Sequence, residues 1–268
     1  MKVKIIISLL FFLVSFGIQG QVLKKTGSFN LPFEPELASI DQQCYLYFAS
    51  KEGVIEKYNR QGELEYHYSP QKKARPTLME AWQGLRVFVY YQAFQEYLFL
   101  NRFLVDSERF NLQRFDISQF SGLTTISGDN NLWLIDSNTL KLSKIDLESG
   151  ETLLQNQLSL TLSSSSFKPM FIREYQNLLF ISDENNGIFV FDNLGNFIET
   201  ISGIKTSFFT FNKNNLVLTE SNSILLIDIY SKTKREISTA DLSYEKVFME
   251  NNQFFALSDK RVDILSIN

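Results

Sequence analysis

An all-β fold is what the sequence predicts, on three observations. The first is composition: 25 phenylalanines and 11 tyrosines among 268 residues, with 44% hydrophobic and 21% charged residues overall. That is a globular chain rich in side chains that suit a pleated, half-buried surface. The second is an internal repeat. "LLFISDENNGIFVFDNLG" (178–195) reads as apolar strand, polar turn, apolar strand and Gly-ending turn, and the same order returns in "LYFASKEGVIEKYNRQG" (46–62) and "LWLIDSNTLKLSKIDLESG" (132–150). Weaker copies are 85–103, 216–234 and 254–267, which makes six. The third is a second register of polar turns at 41, 82, 128, 174, 212 and 250, about 37 to 47 residues apart, each after a short strand. Each unit is thus a meander of four strands, too thin to bury both faces alone. Packing such units radially buries them all. The prediction is a six-bladed β-propeller of four-stranded antiparallel blades, with the N-terminal strand closing the last blade.

The elements follow in chain order. Lys2 and Lys4, an apolar run of about 14 residues from Ile5 to Ile18, and the small or polar Gly17, Gly20 and Gln21 have the layout of a secretory signal peptide over residues 1–20. The run is shorter than the ~20 residues of a spanning helix. Residues 21–268 then form one propeller domain. "VLKKTGSFNL" (22–31) precedes the first repeat as an orphan strand, whereas the sixth repeat ends near Ile267 after its third strand; pairing the two ends completes the ring. The outermost strands are the weakest in pattern, as in 150–160 and 196–204, and Ser163–Ser166 reads as a surface loop between the third and fourth blades. No Pro/Gly linker divides the chain, whose prolines number five.

Charge and residue inventory narrow the function. Without Lys2 and Lys4 the chain carries about −6, which disfavours nucleic acid as a partner. Cys44 is the only cysteine, so no intramolecular disulfide forms, and it reads as a small buried hydrophobe. The only histidine, His67, falls in the outer strand of the first repeat at a solvent-facing position. Neither a phosphate loop, a zinc spacing nor a nucleophile elbow occurs in the sequence.

Two groups of residues remain as candidate sites. The turn between second and third strands opens on one face of every blade, so Glu52, Asp136, Asp183, Glu184, Glu220 and Asp259 are expected around one channel mouth, where carboxylate oxygens suit calcium or a similar divalent cation. The plainer reading is that these acids bond their own turn amides. The second repeat departs from the pattern: "YYQAFQEYLFLNRFL" sets Gln92 and Gln95 in the turn beside Tyr91, Phe94 and Tyr97, a combination that suits binding, with Phe99 and Phe103 read as core. Just before it, "SPQKKARPTLMEAW" carries Lys72, Lys73 and Arg75 on the same face, placed to cover the acidic mouth, to meet an anionic partner or simply to be solvated.

The strands ending in Asp136, Asp183 and Asp259, each followed by a turn and, in the third and fourth repeats, a strand closing on Asp146 or Asp192 with Gly150 or Gly195 beyond, resemble the six-bladed propellers of the NHL, YWTD and TolB type over nearly the whole mature chain. The pattern is broken by Tyr91 in the second repeat, Glu220 in the fifth and Lys51 in the first. Gln21 after the leader resembles the mature terminus of exported proteins of Bacteroidota-type bacteria. Two functions are open to such a chain, the first read from its loops and the second implied by the resemblance. One is an exported non-catalytic scaffold, periplasmic, extracellular or outer-membrane associated, that binds an envelope protein or a small ligand through residues 70–76 and 91–95 without a cofactor. The other is a metal-dependent hydrolase or lactonase of the gluconolactonase-like type, with Asp136, Asp183, Glu220 and Asp259 as ligands. The first is preferred, since the polar residues fall in turns and no catalytic constellation is visible.

Overall fold

The computed structural model describes residues 23–267 except 83, 113–121, 137, 163–166 and 240–241; the leader and the Ser163–Ser166 loop lie outside the described residues. The chain forms six four-stranded antiparallel sheets. After β1 (Leu23–Asn30), blade 1 comprises β2 (Leu37–Ile40), β3 (Leu46–Ala49), β4 (Ile55–Tyr58) and β5 (Leu64–Tyr68). Blade 2 comprises β6 (Leu78–Glu80), β7 (Arg86–Tyr91), β8 (Glu96–Asn101) and β9 (Asp106–Asn111). Blade 3 comprises β10 (Gly122–Ile126), β11 (Leu132–Asp136), β12 (Lys141–Ile145) and β13 (Thr152–Gln157). Blade 4 comprises β14 (Pro169–Tyr175), β15 (Leu178–Asp183), β16 (Gly187–Asp192) and β17 (Phe197–Ile201). Blade 5 comprises β18 (Thr210–Asn212), β19 (Asn215–Glu220), β20 (Ser223–Asp228) and β21 (Lys234–Ser238). Blade 6 comprises β22 (Lys246–Glu250), β23 (Gln253–Ser258) and β24 (Arg261–Ile267), and its outer strand is β1. The ring therefore closes as the sequence predicts, with Leu23 opposite Ile267 and Asn30 opposite Arg261.

The core is a ring of six apolar layers, one at each blade interface. Strand alternation explains why the middle strands are hydrophobic throughout. In β15, Leu179 and Ile181 pack toward blade 3 while Phe180 packs toward blade 5. Opposite faces of one sheet thus feed two cores, and each fully buried Phe contributes roughly 2 to 3 kcal/mol.

The turns are built by side chains that accept from their own main chain. After each third strand of blades 1 to 5 stands Asn59, Asn101, Asp146, Asp192 or Asp228, whose Oδ1 accepts the amide two residues on and another one or two further. Backbone amides of Ser149 and Glu148 hold the Asp146 carboxyl below its ordinary range, as those of Ser231 and Tyr230 do for Asp228.

Two local expectations are revised. The third blade's outer strand stops at Gln157, and Leu158–Thr161 form a short helix in place of more strand. Phe103 is 44% exposed because it sits in the turn after β8, its ring edge-on to Tyr66. Cys44 is buried, and burial raises its thiol pKa.

Candidate functional site: the channel mouth

All six inner strands begin at the same end of the ring, where the connections between blades arrive. Their first residues enclose a cavity of about 580 Å3, lined from every blade. Glu36 and Leu37 come from blade 1, Thr77 and Leu78 from blade 2, Leu123 and Thr124 from blade 3. Met170, Phe171 and Arg173 come from blade 4, Phe208 from blade 5, Glu245 and Lys246 from blade 6. Apolar walls with a few convergent charges are the ordinary make-up of a small-molecule site.

Arg173 is the pivot. Its side chain is 12% exposed, and its guanidinium reaches past blade 3 to lie 3.6 Å from the carboxylate of Glu80 in blade 2. Glu80 accepts hydrogen bonds from Thr125 Oγ1 at 2.6 Å and Trp82 Nε1 at 3.0 Å, and burial raises its pKa against the pull of Arg173. Arg173 Nε is buried with no hydrogen-bond partner among the described residues. Arg173 also lines a cavity of about 50 Å3 further along the inner strands, bordered by Ile40, Trp82, Tyr175, Phe211 and Phe248. Lys246 in blade 6 donates to the Glu36 carbonyl at 3.4 Å, and burial lowers its pKa.

The loop with Lys72, Lys73 and Arg75 borders this mouth. Ala74 N donates to the Glu52 carbonyl, Lys72 lies 4.1 Å above the Phe94 ring, and Arg75 pairs with Glu36 at the cavity wall. Lys73 is exposed. Gln92–Phe94 form a 3₁₀ turn with left-handed Gln95 behind it, and Gln95 Nε2 donates to the Gln92 carbonyl at 2.7 Å. Gln92 lines the mouth, Phe94 is half-buried, and Gln95 is buried. Tyr91 and Tyr97 are not at the loop tip surface: both are buried, in the layers toward blade 1 and blade 3 respectively, because each ends or begins a strand whose faces pack against neighbouring blades.

The acidic turns do not form the expected ring of ligands. None of Glu52, Asp136, Asp183, Glu184, Glu220 and Asp259 lines the mouth, and among the described residues no three His, Cys, Asp or Glu side chains converge as a metal site. The turns join second and third strands, so they stand outward from the axis, and the acids of Asp183, Asp136 and Glu184 are spent locally. Asp183 is fully buried and accepts from the amides of Lys168, Asn185 and Asn186 and from Asn186 Nδ2. Asp136 accepts from the amides of Asn138 and Thr139. Glu184 pairs with Lys168 at 3.4 Å; Asp259 contributes its backbone amide, which donates to Glu245 Oε1 at 3.3 Å. Glu220 is half-buried at the end of β19.

Sequence reasoning missed Phe171, Arg173, Phe208 and Lys246. The available signal was a charge inside an apolar inner strand, as in "MFIREY" and "KVFME".

No family model matches the chain, and no curated protein matches its sequence. Solved structures do. It is similar to virginiamycin B lyase from Staphylococcus aureus, at TM-score 0.62 and 13% identity over 92% of this chain and 100% of that one. A streptogramin B lyase gives 0.63 and 13% over 93% and 98%. The extracellular domain of the hybrid two component system BT4673 from B. thetaiotaomicron gives 0.56 and 11% over 85% of this chain and 33% of that one. At such identities these likenesses concern the fold, and the fold they share with this chain is the β-propeller.

Proposed function

We propose that this protein is an exported, non-catalytic β-propeller that binds an envelope protein or a small ligand through the face carrying the channel mouth. The observation that carries the reading is the mouth itself: an open cavity of about 580 Å3 in which charged and aromatic side chains from separate blades meet, flanked by the loop tied down through Arg75 and Lys72. The Lys-led apolar leader supports export of a domain spanning residues 21–268, as does the resemblance to NHL-type propellers and to Bacteroidota-type mature termini. Among the described residues no helix is long and apolar enough to cross a membrane.

Lyase chemistry does not carry over from the structural neighbours. The S. aureus lyase is known in a catalytically inactive histidine-to-alanine form with quinupristin. The single histidine here, His67, is exposed on the outer strand β5, bonded to Ser69. The metal-dependent hydrolase reading has its acids in separate turns, as described above.

Purified mature protein and a variant carrying Arg75→Glu and Phe94→Ala serve as the test, immobilised in parallel and exposed to envelope extract and to a small-molecule panel. Retention by the parent that the variant loses is the expected result. Equal retention by both, or a melting temperature raised by calcium and lowered by chelator together with lactone opening, would overturn the reading.

A further inference from the structure

Resting on the reading of the mouth as a binding site, we propose that its occupant is a small uncharged molecule with a flat apolar ring, packed against Phe171 and Phe208.

Each charged side chain that lines the mouth already has its counter-charge. Arg173 pairs with Glu80 at 3.6 Å, and Arg75 pairs with Glu36. Lys246 feels the carboxylates of Glu245 and Glu36, which sustain its charge against burial, and it donates to the Glu36 carbonyl at 3.4 Å. Three cations, Arg75, Arg173 and Lys246, thus balance three carboxylates, Glu36, Glu80 and Glu245. Thr77 is engaged in the same way: its Oγ1 donates to the Tyr90 carbonyl and accepts from the Gln92 amide, both at 3.2 Å. A ligand ion entering here would have to shed water and compete with a partner already in place, so its charge costs more than it returns.

What the wall leaves to be covered is apolar surface. Leu37, Leu123, Met170, Phe171 and Phe208 line the cavity and are only half-buried. They come from blades 1, 3, 4 and 5, so they surround the mouth instead of forming a single stripe. The Phe171 and Phe208 rings are 5.4 Å apart with their planes at 51°, an arrangement that a third ring can extend in a tilted or edge-on pose. A cavity of about 580 Å3 walled from six blades is broad, with the size of a small-molecule site and not the shape of a tunnel for one alkyl chain.

Four probes are titrated calorimetrically into the mature protein at neutral pH: 2-naphthol, which is uncharged; the 2-naphthoate anion; the 2-naphthylmethylammonium cation; and uncharged 1-octanol. A tryptophan tripeptide with both ends blocked is the fifth. 2-Naphthol should bind about tenfold or more tighter than either ion. Phe208→Leu keeps an apolar side chain, so it should fold as the parent does and weaken 2-naphthol about threefold or more. Glu36→Gln changes a half-buried rim residue and leaves Arg75 without its counter-charge. Naphthoate should then gain about threefold while 2-naphthol stays where it was. Either ion matching 2-naphthol, or a naphthoate affinity unmoved by Glu36→Gln, would overturn the uncharged assignment while leaving a binding mouth. An affinity for 1-octanol above that for 2-naphthol, or a 2-naphthol affinity indifferent to Phe208→Leu, would overturn the ring. The peptide binding far tighter than 2-naphthol would overturn the assignment to a small molecule, and no heat from any probe would take the mouth itself away.

Discussion

Blades 4 and 2 are the same meander, and they use the same turn in opposite ways. In blade 4 the turn between second and third strands is closed by Asp183, wholly buried, which takes four hydrogen bonds from its surroundings. Gly187 follows at φ +105°, where an added Cβ would meet the carbonyl oxygen of Ile201. In blade 2 the acid is replaced by Tyr91, the turn becomes a 3₁₀ segment, and its side chains point to the neighbouring loop and to the mouth. Where the repeat is kept, the polar residue is consumed in holding the turn. Where it is broken, the turn is held by other means and its residues are released toward a site.

Alkali should break the comparison most severely. Burial raises the phenol pKa of Tyr47, Tyr58 and Tyr68 in blade 1 and of Tyr90 and Tyr91 in blade 2, against Tyr175 alone in blade 4. The folded-state values lie above the unfolded value of about 10, so the unfolded chain gives up protons first. The stability these phenols contribute is therefore complete below about pH 10 and lost as pH rises toward the folded values. Phenolate absorbance and far-ultraviolet circular dichroism should change together in one sharp transition; gradual ionisation with intact sheets would contradict this.

Replacing Asp183 by alanine strips four donors of their acceptor in a buried turn, an expected loss of about 3 kcal/mol in urea unfolding. A loss near zero would show that the blade 4 turn is not held by its acid. Gly187→Ala combines a positive φ with backbone contact and should cost about 2 kcal/mol by the same measurement. Phe94→Ala in blade 2 removes a half-buried ring from under Lys72 and should cost only about 0.5 to 1 kcal/mol. If Phe94→Ala proved as damaging as Asp183→Ala, the contrast between a structural and a released turn would fall.

Much of the architecture was legible because its causes are local. Alternating apolar residues set each strand, and Asn, Asp and Gly in fixed places end it, so the six blades could be counted from the chain. The missing fourth strand at Ile267 and the spare one at Leu23 could be matched without coordinates. The site was legible only in part. Lys72, Arg75, Gln92 and Phe94 were read as lying on one face, since blade connections and second-to-third turns open on the same side, and Lys72 does lie over Phe94, Arg75 on Glu36 and Gln92 at the mouth. The acids were misplaced because sequence tells which face a turn opens on but not its distance from the axis.

By itself, then, the sequence determined the number of blades and the place of closure, since periodicity and turn chemistry act over a few residues. Only the tertiary structure decided which side chains share the mouth. Arg173, Phe208 and Lys246 belong to separate blades, and no local rule relates them. They meet because ring closure carries the start of every inner strand to one axis.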